Sequence, residues 1–158
     1  MNIFFVHPNS QICAYQLCDK HVVKMITESV QVLCTVCIEQ NLAMGLPYKS
    51  THKQHPITLW AGKSLENYQW LWQHAYFLGI EYNQRYGKSH KSFQALVDSV
   101  PYTVLLPKTG LHQHPNCTPY KDLPVLDAYR RFYKIDKSRF AKWKLGNVPD
   151  WYQSRVDY

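Results

Sequence analysis

Between Asp19 and Cys37 the chain carries an apolar segment broken by one narrow polar stripe. At about 100° per residue, Lys20, His21, Lys24, Thr27, Glu28, Gln31 and Thr35 fall within roughly a third of a helix's circumference. The remaining arc holds Val22, Val23, Met25, Ile26, Val30, Val32, Leu33, Cys34, Val36 and Cys37, with Ser29 its one polar member. A helix that is apolar around most of its girth is mostly buried. Its charges must then face a cleft, a partner or each other, because an unpaired buried charge is costly. One reading makes the stripe a plain solvent face, with Lys24 and Glu28 as an i,i+4 pair worth roughly a few tenths of a kcal/mol. The other makes it a reaction or binding surface, and the mixture of cations, imidazole, carboxylate and amide in so narrow a band favours that one.

The flanking signals predict further helices. Ser10 or Asn9 caps a short helix through about Leu17, and Asp19 caps the long one, which runs to about Glu39. Pro56 suits the first position of a short helix through Ala61. Ser64 caps a longer one from Leu65 to about Tyr86, stopped by Gly87. Ser89 begins another through about Ser99, and Val125 to Lys134 forms the next, with Arg130 and Arg131 outward. A further helical turn is expected over Lys137 to Lys144. Met1 to Val6 reads as a strand or extended segment. Five prolines make residues 101–124 irregular, although Tyr102 to Leu106 has the makings of a strand. The expected fold is mainly α: a single helical domain over residues 1–158, with a short N-terminal extended segment and a long Pro-rich loop.

Apolar residues make up 46% of the chain and charged residues 18%, which excludes a disordered protein. The net charge of +7 favours a polyanionic partner, nucleic acid before an anionic membrane. Five Trp and twelve Tyr supply both core volume and faces that stack on unpaired bases. No signal peptide is evident, and no apolar run approaches membrane-spanning length. Five cysteines, an odd number, then read as free thiols of a reduced, cytoplasmic protein.

Four constellations bear on chemistry. In the helix stripe, Glu28 suits a general acid, base or charge stabiliser, and Lys24 or Lys20 an amine nucleophile or phosphate ligand, with His21 beside them. Lys53 and His55 lie just before a helix start, where backbone N–H groups favour anions. Around the turn at Gly87, Arg85, Lys88, His90 and Lys91 form a candidate phosphate-backbone patch. Cys34 and Cys37, His52 and His55, and His112, His114 and Cys117 have spacings that zinc accepts. The Cys34–Cys37 pair falls on the apolar arc, so it reads as core and no metal or other cofactor is expected. Walker, Rossmann and nucleophile-elbow motifs are missing from the sequence.

Several stretches together resemble an uncharacterised family of small proteins common in bacteriophage genomes: Asp19-Lys20-His21-Val22-Val23-Lys24-Met25 with Glu28, His52-Lys53-Gln54-His55-Pro56, and Arg85-Tyr86-Gly87-Lys88-Ser89-His90. That origin would place the protein in the cytoplasm of an infected bacterial host. The chain also resembles the pyrimidine-dimer DNA glycosylases through Glu28 on an early helix, His55-Pro56, the run from Glu81 to Gly87 and an aromatic C-terminal tail. That resemblance implies a small, basic, all-helical repair enzyme whose N-terminal amine forms an imine with the sugar. Here Met1 precedes Asn2, and a bulky second residue normally leaves the methionine in place, so Lys20 or Lys24 is expected to substitute.

Two functions follow as expectations. One is a DNA glycosylase or lyase, with Glu28, Lys24, Lys20 and His21 as the reacting groups and Gln31, His55, Lys53, Arg85, His90, Lys91 and Arg130 holding substrate. The other is a non-enzymatic binder of nucleic acid or a small nucleotide, with the same stripe as its pocket. Neither sets an oligomeric state, and neither involves a membrane.

Overall fold

The apolar segment forms the central helix, α2 (Asp19–Glu39), of a computed structural model that describes residues 1–154. By length and composition α2 could cross a bilayer, contrary to the sequence reading, yet two thirds of its apolar window is buried inside the protein. Its N-cap is Cys18, which makes no side-chain cap bond; Asp19 is instead the first helical residue, where a carboxylate meets the positive end of the helix.

α2 packs on α4 (Leu65–Tyr86), which in turn packs on α1 (Ser10–Gln16). Local chemistry sets both ends of α4. The Ser64 hydroxyl accepts from the Asn67 N–H, and Gly87 turns the chain out of the helix at a left-handed φ of 69°. Asn9 caps α1 by accepting from the N–H groups of Gln11 and Ile12. α3 (Pro56–Ala61) begins after His55, and α5 (Lys91–Ser99) after His90; each imidazole accepts a backbone N–H two residues on. Gly79 leaves the space on α4 that the Phe93 ring of α5 fills.

α6 (Val125–Asp136) and α7 (Asp150–Gln153) pack against each other and close the remaining side with aromatic rings. Tyr129 and Tyr133 are wholly buried, and Trp143 nearly so. The N-terminal segment threads into this core, with Ile3 and Val6 wholly buried.

The helices stand close to their expected bounds, and the N-terminal segment is extended. Three further expectations are corrected. No strand occurs among the described residues: at residues 102–106 the Leu106 N–H turns back to the Val104 carbonyl instead of joining a ladder. Residues 137–144 form separate turns, with the N–H groups of Phe140 and Ala141 both closing on the Lys137 carbonyl. Arg130 and Arg131 are half-buried rather than outward. The last four residues of the aromatic tail, 155–158, lie outside the described residues.

Candidate active site

The polar stripe of α2, the N-terminal segment and the chain leaving α6 enclose a cleft of about 390 Å³. Glu28 lies in it with its side chain 18% exposed. Its Oε2 accepts the backbone N–H of Asn2 at 3.2 Å, and its Oε1 stands 3.8 Å from the Lys24 ammonium. Asn2 is held in turn. Its Oδ1 accepts the N–H groups of Ile3 (2.8 Å) and Phe4 (3.3 Å) and the Tyr129 hydroxyl (2.9 Å). This tight turn puts Phe4 at a φ of 53°, a left-handed backbone that a phenylalanine adopts only where its surroundings impose it. The ring is fastened by stacking on His21 at 3.9 Å and by Phe132 at 5.9 Å.

His55 does not line the cleft but lies near enough to the N-terminus and Glu28 to feel both charges. Partial burial lowers its pKa first, and the positive N-terminus and His52 lower it further; the charge of Glu28 and a hydrogen bond with the Met1 backbone oppose them. The His55 ring therefore senses both the positive N-terminus and the Glu28 carboxylate.

Lys20, Lys24, Lys137 and Arg139 also line the cleft, and Glu28 is the one carboxylate among its described lining residues. Phe4, Phe132 and Phe140 supply apolar surface. The Lys137 ammonium lies 4.5 Å from the centre of the Phe132 ring, and that of Lys20 lies 4.8 Å from Phe140. A cleft with one carboxylate, several cations and ring faces is suited to a polyanion with a flat substituent.

Of the residues singled out from the sequence, Glu28, Lys24, Lys20 and His21 are gathered here. His21 is no free base, however. It is buried, its Nδ1 is hydrogen-bonded with the Tyr133 hydroxyl, and burial, then Lys137, Lys24 and Lys20, push its pKa down to about 3. A neutral ring of this kind supports Phe4 by stacking. Gln31 is half-buried a turn beyond Glu28 and does not line the cleft. Lys53 pairs with Glu39 at 3.2 Å, beside the C-terminal end of α2.

The phosphate patch expected around Gly87 is not assembled. The Arg85 side chain is wholly buried: Nε donates to Glu81 (3.2 Å), Nη1 to the Leu17 carbonyl (2.8 Å) and Asp19 (3.1 Å), and Nη2 to the Tyr15 carbonyl (3.0 Å). It ties α4 to the α1–α2 junction. The ring of His90 is occupied at both nitrogens, by the Ser92 N–H and the Val23 carbonyl. Lys91 is exposed at the start of α5. Arg130 donates from Nε to the Val6 carbonyl at 3.0 Å and lies over Trp151. Replacing Arg85 by Met leaves Glu81 and Asp19 without their cation and is expected to cost about 3–5 kcal/mol of stability. Urea unfolding measures this; a loss near that of an exposed Lys91→Ala change would refute the buried-clamp role.

Sequence reasoning missed Asn2, Phe4, Phe132, Lys137, Arg139 and Phe140. A usable signal was present in the alternation of rings and cations from Phe132 to Phe140.

A family model described as pyrimidine dimer DNA glycosylase matches residues 1–95. No curated protein matches the chain, and no solved structure matches it. The matched part takes in the N-terminal segment, Glu28 and His55 but stops before Phe132, Lys137, Arg139 and Phe140.

Proposed function

The chain belongs to the pyrimidine dimer DNA glycosylase family, and from that premise we propose that it cleaves the glycosidic bond of a damaged pyrimidine in DNA, with Glu28 and the chain's terminal amine as the reacting pair. One observation carries this reading: the lone carboxylate of a cationic cleft grips the first peptide group of the chain, at 3.2 Å. Lys20 and Lys24, the amines expected from the sequence, line the same cleft and are the alternative nucleophiles.

The amine attacks C1′ of the sugar, and the C1′–N1 bond breaks with its electron pair leaving on the base. The amine proton passes to Glu28 and from it to O4′ as the C1′–O4′ bond breaks, which opens the sugar to an iminium ion and restores the carboxylate. Carboxylate charge beside that cation lowers the barrier, because Glu28 is oriented before the reaction begins. Removal of a C2′ proton by a base at the same position then expels the 3′ phosphate and nicks the strand. Water hydrolyses the imine and restores the amine. Lys20, Lys24, Lys137 and Arg139 hold the flanking phosphates, and Phe132 and Phe140 face the bases.

The test uses labelled duplexes carrying a pyrimidine dimer, an abasic site or normal bases, with borohydride to reduce the imine. A trapped adduct on the dimer duplex is expected, mapping to the first residue of the mature chain. A few residues added before Met1 are expected to abolish trapping while folding persists. An adduct on Lys20 or Lys24 would overturn the amine assignment. Saturable DNA binding with no product on any duplex would replace the enzyme by the binding protein.

A further inference from the structure

The N-terminal turn is fastened from the far end of the sequence. Asn2 Oδ1 accepts the Ile3 and Phe4 N–H groups at 2.8 Å and 3.3 Å. Both are donors, so the atom that meets them is the amide oxygen and not its NH2 group. In the third bond to that oxygen, at 2.9 Å, the Tyr129 hydroxyl is therefore the donor. Tyr129 stands on α6, 127 residues away along the chain, and is wholly buried. Burial pushes its phenol up, so the proton stays on the oxygen. That oxygen also accepts the Cys117 N–H at 3.3 Å, while the Pro115 carbonyl, at 3.4 Å, is the farther of two acceptors for its one proton.

The turn needs such a hold. Phe4 has a left-handed backbone, at a φ of 53°, which a phenylalanine does not keep unaided. Stacking on His21 and an edge-on contact with the Tyr129 ring, at 6.4 Å, fix the Phe4 side chain. The hydroxyl bond acts two residues earlier. Asn2 is the pivot: its side chain is tied to Tyr129, and its backbone N–H lies on Glu28 Oε2. A group so placed sets how the start of the chain meets the carboxylate. Tyr129 does this from outside the cleft, because it is not among the residues that line it.

We propose that Tyr129 is a positioning residue for the reaction assigned to this cleft, its hydroxyl holding the start of the chain against Glu28 through Asn2 Oδ1. The role rests on the glycosylase reading. The same helix supplies Phe132 to the cleft wall, so α6 both borders the substrate space and anchors the residues that meet Glu28. A wholly buried hydroxyl does not touch the strand. Its signature is therefore loss of turnover without loss of DNA affinity.

Tyr129→Phe deletes one oxygen and keeps the ring. On a dimer-bearing duplex it is expected to lower kcat about tenfold or more, because small misplacements of reacting groups are expensive, and to leave KM and DNA affinity within about twofold. Asn2→Ala removes the acceptor, leaves the Cys117 bond in place and is expected to lose a similar factor. The double variant should be no slower than the slower single variant, because both changes remove one interaction. Losses that multiply, an unchanged kcat in Tyr129→Phe, or a KM rise that accounts for the whole loss would overturn the proposal. Amide hydrogen exchange adds a readout with no catalytic step. The Ile3 and Phe4 amides are expected to exchange about tenfold faster in Tyr129→Phe, while those of α2 keep their wild-type rates. Unchanged exchange at Ile3 and Phe4 would refute the hold whatever the reaction, and equal acceleration throughout α2 would show that Tyr129 serves the core alone. Wild-type protein that cleaves no duplex, with exchange still responding to Tyr129→Phe, would overturn the glycosylase reading and the positioning role with it.

Discussion

Glu28→Gln is expected to lower cleavage of a dimer-bearing duplex by about 10²–10⁴-fold, the usual contribution of a positioned acid–base group. The change removes a charge and very little shape. A glutamine oxygen can still accept the Asn2 N–H, so the N-terminal turn should persist. What disappears is the negative charge beside the iminium ion and the base that takes the proton. Stability should barely move, because the Lys24 partner of its ion pair is 67% exposed and pairs of that kind contribute little. DNA affinity should hold or rise, since a carboxylate leaves a cleft that otherwise carries cations. Single-turnover cleavage, thermal melting and DNA titration on one preparation check all three. Loss of melting temperature in step with loss of activity would show that Glu28 only holds the fold.

The second large effect is on stability in mild acid. His21, His74 and His114 are buried, and burial is the first cause in each of a pKa pushed down, to about 3, 4 and 3. Above the ordinary imidazole value of 6.5, folded and unfolded chains both hold these rings neutral, and they impose no pH dependence. Below it the unfolded chain takes up a proton on each ring while the folded chain does not. Stability is therefore complete above about pH 6.5 and falls as the pH drops toward the folded values. With all three rings engaged the slope approaches three protons, roughly 4 kcal/mol per pH unit. Urea midpoints between pH 7 and pH 4.5 measure it, and His114→Phe should remove about a third of the slope. A level profile from pH 6.5 to 5 would show that the rings are protonated within the fold.

The sequence was most legible where a single residue carries its own geometric instruction. Asn9 and Ser64 announce helix ends through bonds to neighbours a few residues away, Pro56 and Gly87 through their backbone angles, and the helices begin and stop close to them. Glu28 was legible as the one carboxylate of a narrow stripe on an apolar helix. Arg85 was not, because two of its partners are the carbonyls of Tyr15 and Leu17, distant in the chain, and nothing local distinguishes a buried arginine from an exposed one. His90 and His55 looked like substrate ligands, while much of their bonding capacity goes to capping the next helix. The place of Asn2 escaped because its side chain is held by Tyr129, a contact between opposite ends of the sequence.

The cleft is written into the chain in two places. Its carboxylate and its terminal amine lie in the part that the family model covers, whereas Phe132, Lys137, Arg139 and Phe140 come from beyond it. On the function proposed above, exchange of the later block would re-tune which strand the cleft admits while Glu28 and the N-terminal segment stay untouched, a modular route by which one chemistry could serve many lesions.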